Sequence, residues 1–511
     1  MLSSLKSNVP PNDPAPAAAD VCLIVEGAYP YVAGGVSSWV DGLIRRHNQL
    51  RFSVVAILPE SPLPVSKYPA PANLVDLHHL YLSETGGRGG GARPGGLNGA
   101  ELSAAVDDFL RNGSLAGLDK INTMVAPLLR TGQLASLLNS SFAWEVVCDV
   151  YQRTMPHESF LHFFWGWRAL FGGLIATLGF ALPSARVYHA VSTGYAGLLA
   201  ARAAVETGRP VLLTEHGIYT NERRIEILQA DWIVDTIDKG FSIRDTRRDL
   251  RDFWVSAFES FARTCYEASV EVITLHEANR LAQITFGADP KRTKIIPNGV
   301  NYEALSRLRQ AADDTVLTVA LVGRVVPIKD ISTFLQAIHF LRDRFPLMRA
   351  VVLGATDEQP DYYVACKAAV EKLGLGSMVR FAGNVDVMQH FPYIHVNVLT
   401  SLSESQPLTL LEAGAAGIPS VATDVGSCRE ILLGRKDEAP ALGPGGILTD
   451  VASPRETAEA IATLLSDPAL RQSLGCNMQK RVRDYYDLKI VDDAYRAIYD
   501  KHTNAASRQM V

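Results

Sequence analysis

Residues Leu317–Lys329 read LTVALVGRVVPIK, and residues Val396–Glu412 read VNVLTSLSESQPLTLLE. Each is a short apolar run that ends in a turn and enters an amphipathic stretch, the pattern of a buried strand followed by a helix. The same alternation recurs around them. Strand-like runs fall at Leu317–Val322, Ala350–Gly354, Val379–Ala382, Val396–Thr400 and Ser420–Thr423, with helical patterns between them. Ile331–Phe345 carries Phe334, Leu335, Ile338 and Leu341 on one helical face, and Asp361–Leu373 and Leu408–Ala416 behave likewise. Strands that alternate strictly with helices predict a parallel sheet covered on both faces.

An earlier series of strand-like runs lies at Val21–Val25, Phe52–Leu58, Val187–Ala190, Val211–Thr214 and Glu271–Leu275. The fold class expected is therefore α/β, two doubly wound, Rossmann-like parallel-sheet domains facing across a cleft. The boundaries expected are a flexible tail over 1–19, an N-terminal domain with helical insertions over 20–302 and a C-terminal domain over 303–480. Residues 481–511 are expected to form a helix packing back on the N-terminal domain. Thr85–Gly99, with eight glycines, reads as a loop, and Tyr219–Ala268 as a charge-rich helical insertion.

With 511 residues, 47% of them hydrophobic and 20% charged, the chain has the composition of a globular protein. Its formal charge of −5 argues against a broad nucleic-acid surface. Six scattered cysteines with no CxxC argue against a zinc ribbon and suit a reducing compartment. The polar first 19 residues do not read as a signal peptide. Phe163–Leu182 is 20 residues long with only Arg168 charged. It reads as a buried or partner-facing helix, with membrane contact as the alternative.

There is no GxxxxGK[ST], no GxGxxG between strand and helix, and no DxD. Any bound diphosphate must then be neutralised by side chains and helix ends. Arg324 and Lys329 follow a strand, where ligands of such sheets bind, and their charges suit phosphate oxygens. Glu404 lies in the turn and Glu412 about one turn inside the next helix. The amides of Leu408 and Thr409 stand at that helix's anion-binding end. Two carboxylates flanking such an end suit a ligand rich in hydroxyls. Gly34 and Gly35 repeat the strand–turn–helix logic in the first half, letting backbone approach a phosphate or sugar. His189 and His216 each end a strand there.

Together the GRx4K segment, the Glu-x7-Glu segment and the early GGV, in this order and spacing, resemble the retaining GT-B glycosyltransferases of family GT4. Four stretches resemble more narrowly the Pel-type exopolysaccharide glycosyltransferases: EGAYPYVAGGVSSWV at Glu26–Val40, VYHAVSTGYAGLLA at Val187–Ala200, TEHGIYTNERR at Thr214–Arg224 and ATDVGSCREIL at Ala422–Leu432. The resemblance implies a cytoplasmic enzyme, peripheral at the inner membrane through polysaccharide synthase subunits. It would move a hexosyl unit from a UDP-sugar to a growing glycan acceptor, with no metal and no other cofactor. Arg324, Lys329, Leu408, Thr409 and Gly35 would hold the donor diphosphate, Glu412 the ribose, and Asn384 and Val385 the base. His216 and Glu404 would be catalytic, at the transferred sugar. Gly34, His189, Arg223 and Arg224 would lie on the acceptor or sugar side. The chain departs from the family in reading ESQPLTLLE rather than ESFGLPLLE, and in having Ala33 where glycogen-synthase-like relatives have Lys. A UDP-sugar epimerase on the same fold, and a non-catalytic nucleotide-sugar-binding subunit, remain the alternatives.

Overall fold

The computed structural model describes residues 19–83, 97–130, 134–229, 249–308 and 316–508. The tail expected over 1–19, apart from Ala19, and most of the glycine-rich Thr85–Gly99 lie outside them. The chain forms two compact units. The first comprises Met1–Ile273, Gln283–Thr293 and Arg496–Val511, and the second Thr274–Ala282 and Lys294–Tyr495. The second thus begins before residue 303, and the end of the chain returns to the first.

Thirteen strands are present among the described residues: β1 (Ala19–Glu26), β2 (Phe52–Leu58), β3 (Leu74–Tyr81), β4 (Ala185–Ala190), β5 (Val211–Glu215), β6 (Ser269–Thr274), β7 (Thr293–Ile295), β8 (Thr318–Val322), β9 (Arg349–Leu353), β10 (Val379–Gly383), β11 (Val396–Leu399), β12 (Ser420–Thr423) and β13 (Gly446–Thr449). They form a seven-stranded sheet in the order β3-β2-β1-β4-β5-β6-β7 and a six-stranded sheet in the order β10-β9-β8-β11-β12-β13. β1 pairs in parallel with β2 and β4, and β8 with β9 and β11. In each sheet the order reverses at one point, between β1 and β4 and between β8 and β11. Connections leave to opposite sides there, which opens a crevice at the strands' carboxyl ends.

The strands that alternation missed, β3, β7 and β13, include three sheet edges. β3 (LVDLHHLY) is half exposed along its length, so its pattern is not the two-sided apolar run of a central strand. By contrast β1 and β2 are buried almost throughout.

Phe163–Leu182 falls largely within a helix, Phe160–Gly179, that buries Phe163, Trp167, Leu170, Phe171, Leu174 and Ile175 in the first unit's core. Arg168 donates to the Leu138 carbonyl (2.6 Å) and to Asn139 Oδ1 (2.7 Å), so its charge is served within the protein. Among the described residues no helix is long and apolar enough to cross a membrane. The expected insertion Tyr219–Ala268 is also corrected in part. Its second half is helix Leu250–Ala268, which packs Trp254, Ala257, Phe258, Phe261 and Cys265 into the same core. Residues 230–248 lie outside the described residues.

Candidate functional site

In the second unit, the loop after β8 and the loop after β11 meet at the reversal point. Thr400 Oγ1 donates to the carbonyls of Lys329 (3.0 Å) and Asp330 (2.9 Å), and the Leu402 amide donates to the Ile328 carbonyl (2.8 Å). Asp330, at φ 43°, caps helix Ile331–Leu341 by accepting from the Thr333 amide (3.1 Å). These bonds bring Lys329 and Glu404 together. Lys329 Nζ pairs with Glu404 Oε1, to which Ser401 Oγ also donates (2.6 Å). The pair is largely withdrawn from water, with side chains 18% and 13% exposed.

Arg324 stands beside them but reaches outward, donating to Glu358 Oε2 (2.6 Å) from an exposed position. Helix Leu408–Ala415 begins after Pro407 with no side chain capping it, which leaves its first amides to the loop side. Within that helix Glu412 is partly buried, and burial holds its carboxyl above the usual range. Asn384, exposed, and Val385 follow β10, whose Gly383 carbonyl accepts from the Gly354 amide (2.9 Å). Arg324, Lys329, Glu404, Leu408 and Asn384 therefore all lie at the carboxyl edge of one sheet.

Three features of this edge were not legible in the motif. Ser401 shares Glu404 with Lys329, and Glu358 holds Arg324. Gly426, at φ +53°, backs the Glu404 loop so closely that a Cβ would lie 2.1 Å from the Glu404 carbonyl oxygen. The Ser427 amide then donates to the Ser405 carbonyl (2.9 Å). The departure at Gln406 also has a local reason: its buried Oε1 accepts from the Asn298 amide (2.6 Å), fastening the turn to the Pro297–Gly299 segment.

In the first unit, Gly34 and Gly35 open helix Gly35–Arg46, which buries Ser37, Val40, Leu43 and Ile44 on one face. Gly34 is extended (φ 171°), and a Cβ on either glycine would meet nothing within 4 Å. The protein's own packing leaves that space open. The helix carries Trp39 against His216, with ring centroids 4.6 Å apart and nearly perpendicular. Burial pushes the His216 imidazole down to about 4, so it is neutral at pH 7.

His189 differs from its expected place on the acceptor or sugar side. It is fully buried, with Nδ1 bonded to Tyr499 Oη (2.8 Å) and Nε2 to Thr214 Oγ1 (2.9 Å). Both ring nitrogens are thus used to join β4, β5 and the last helix, Leu488–Arg508. Burial, and then the nearby His216, push it down to about 3.

Arg223 and Arg224, expected on the acceptor or sugar side, have separate partners. Arg223 Nε donates to Tyr219 Oη (2.9 Å), which donates to Glu26 Oε1 (2.5 Å), and its Nη2 lies 3.9 Å from the same carboxylate. Glu26 ends β1, and burial raises its carboxyl despite these partners. Arg223 also donates through Nη1 to Glu226 Oε2 (2.6 Å), so it spans a buried acid and an exposed one. Arg224 pairs with Glu259 on helix Leu250–Ala268. Helical spacing places the two arginines on different faces, a distinction invisible while they read as one polar cluster.

Residues 19–291 match the family model described as "Domain of unknown function (DUF3492)", and residues 305–481 match "Glycosyl transferases group 1". The chain is 30% identical over 239 residues to a D-inositol 3-phosphate glycosyltransferase of Kineococcus radiotolerans, covering 43% of this chain and 54% of that protein. It is 29% identical over 268 residues to a phosphatidyl-myo-inositol mannosyltransferase of Mycobacterium leprae, covering 50% and 66%. The chain thus spans between about half and two-thirds of the length of these curated relatives. Among solved structures, sucrose-phosphate synthase from Thermosynechococcus elongatus superimposes with a TM-score of 0.57 at 16% identity, covering 95% of this chain and 99% of that one. Anabaena HepE in complex with UDP gives 0.56 at 14% identity, covering 94% and 100%. The two sheet orders and these GT-B neighbours agree on the fold. The chain belongs to the family defined by the DUF3492 domain, and its residues 305–481 carry the match to glycosyl transferases group 1 on a GT-B fold.

Proposed function

We propose that this protein is a retaining, UDP-sugar-dependent hexosyltransferase that extends a Pel-type exopolysaccharide in the cytoplasm, meeting the inner membrane through synthase subunits. The observation that carries the reading is the Lys329–Glu404 pair at the β8/β11 reversal, beside Arg324 and the uncapped start of helix Leu408–Ala415. A leaving nucleoside diphosphate gains negative charge in the transition state. Fixed cations and amides aimed at it stabilise that charge without reorganising. Arg324, Lys329 and the Leu408 and Thr409 amides are the groups proposed for this task, with no metal. Glu412, which has no side-chain partner among the described residues, suits paired ribose hydroxyls.

The pairing also sets an order of events. Diphosphate oxygens compete with Glu404 for Lys329 and with Glu358 for Arg324. As the donor enters, Glu404 is released towards the sugar hydroxyls. Acceptor attack on the face the diphosphate leaves, with the departing phosphate taking the acceptor proton, requires no protein nucleophile. His216, neutral at pH 7, is suited to orienting a sugar hydroxyl and ill suited to serving as a strong base.

The four stretches that resemble Pel-type enzymes support the acceptor assignment, and the UDP complex of the HepE neighbour is consistent with the donor. The test is direct. Purified protein is incubated with a panel of UDP-sugars, with and without Pel oligosaccharide, and proton NMR follows the anomeric signal. Acceptor-dependent product of the donor's own anomeric configuration is expected. An inverted product, or epimerised free sugar formed without acceptor, refutes the reading.

A further inference from the structure

The second sheet carries a groove away from the edge just described. In β9 and β10, Ala350, Val352 and Val379 point into one core layer. Two-residue alternation then sends Arg349, Val351 and Arg380 to the other face. Arg349 opens β9 and Arg380 is the second residue of β10, so both stand towards the amino ends of the strands. The groove they line holds about 550 Å³, with Val351 and Ile394 as apolar lining and His390 and Tyr393 among its other walls. That is the size of a small-molecule site.

Its charge is uncompensated among the described residues. Neither Arg349 nor Arg380 has an acidic partner among the described residues. In the same unit Arg324, Arg344, Arg429, Arg435, Arg481 and Arg483 each hold one. Arg380 lies opposite Val351, two residues along β9 from Arg349. With strands about 4.8 Å apart and a rise of about 3.3 Å per residue, their Cα atoms are about 8 Å apart on one face. Two arginine side chains at that spacing can converge on one phosphoryl group, each offering a planar fork of donors. His390, between the short turns Val387–Gln389 and Phe391–Tyr393, and Tyr393, at the end of the second, add donors.

We propose that this groove binds a small soluble phosphate monoester, its phosphoryl group between Arg349 and Arg380 and its remainder on Val351 and Ile394. The concave shape and the presence of only two arginines favour a small ligand over a bilayer, which gains from a broad basic surface.

The experiment is calorimetric titration of the full chain with inorganic phosphate and with glucose 6-phosphate. Binding of at least one probe is expected. It should weaken about tenfold or more in Arg349→Gln/Arg380→Gln, as loss of charge-assisted bonds requires. It should be unchanged in Arg324→Ala/Lys329→Ala, which removes the cations of the other edge. Both substituted arginines are exposed, so the fold should survive, as circular dichroism would verify. If the double variant melts early, the single variant Arg380→Gln is read instead. The reverse pattern between the two variant pairs overturns the proposal. So does failure of both probes to bind, or arginine-dependent binding to phosphatidylglycerol vesicles alone.

Discussion

Replacing Glu404 by Gln removes the acid that holds Lys329 while keeping the side chain's size. A charge-assisted hydrogen bond contributes about 1.5–3 kcal/mol. The Lys329–Glu404 pair is 18% and 13% exposed, so solvent screens it little. Glu404→Gln should therefore lower unfolding stability by about 1–3 kcal/mol, less whatever Ser401 recovers by bonding to the amide. Its effect on UDP should have the opposite sign. On the proposed reading the diphosphate displaces Glu404 from Lys329 in the wild type. In the variant that competitor is neutral, and recovering about 0.7–1.4 kcal/mol would tighten UDP binding about threefold to tenfold. Transfer should fall at the same time, because the carboxylate proposed to meet the sugar is gone. The assay is calorimetric UDP titration of wild type, Glu404→Gln, Lys329→Ala and the double variant, alongside turnover. In the double variant the gain from Glu404→Gln should vanish, since Lys329 is the group it acts through. UDP binding that weakens in Glu404→Gln, or a gain that persists without Lys329, would refute the competition.

Three further outcomes are expected. Gly426→Ala places a Cβ against the Glu404 carbonyl at positive φ, so it should cost about 1–3 kcal/mol in denaturant unfolding and reduce transfer; an unchanged midpoint would mean the loop yields freely. Arg223→Ala should destabilise the first unit through the abandoned Glu26 carboxylate by about 1–3 kcal/mol, whereas exposed Arg224→Ala should cost less than about 1 kcal/mol, and equal losses would contradict the distinction. His189 and His216 have folded values near 3 and 4, below the ordinary 6.5, so the unfolded chain takes up protons first. The stability this contributes is complete above about pH 6.5 and declines as pH falls towards 4, by about 2 kcal/mol per histidine at pH 5; His189→Gln should flatten urea-unfolding stability measured across that window, and an unaltered slope would show that His189 does not carry it.

The candidate site was only partly legible in the chain. Arg324, Lys329, Glu404 and Glu412 follow strands whose apolar runs are unambiguous, and the carboxyl edge of a parallel sheet is where such residues gather. The partners that decide their behaviour are remote in sequence. Glu358 meets Arg324 from 34 positions away, and Glu404 meets Lys329 from 75. His189, Arg223 and Arg224 could be placed near a strand end but not oriented. His189 is bonded to Tyr499, 310 residues on, and no local pattern announces such a partner.

What the sequence determined by itself is the class of fold and the place of Arg324, Lys329 and Glu404 at the carboxyl edge of the second sheet. Buried central strands must be apolar on both faces, and that demand is written in consecutive residues, as in β1, β2 and the β8–β11 pair. Edge strands such as β3 and β13 carry no such demand, so only pairing in three dimensions revealed them. Tertiary structure alone decided which polar groups stay at a sheet's edge and which take partners inside the protein. Arg223 spans the buried Glu26 and the exposed Glu226, and His189 is sealed with a hydroxyl on each ring nitrogen. Burying a polar group is tolerated only where a partner arrives, and partners arrive through the fold rather than through the order of the chain.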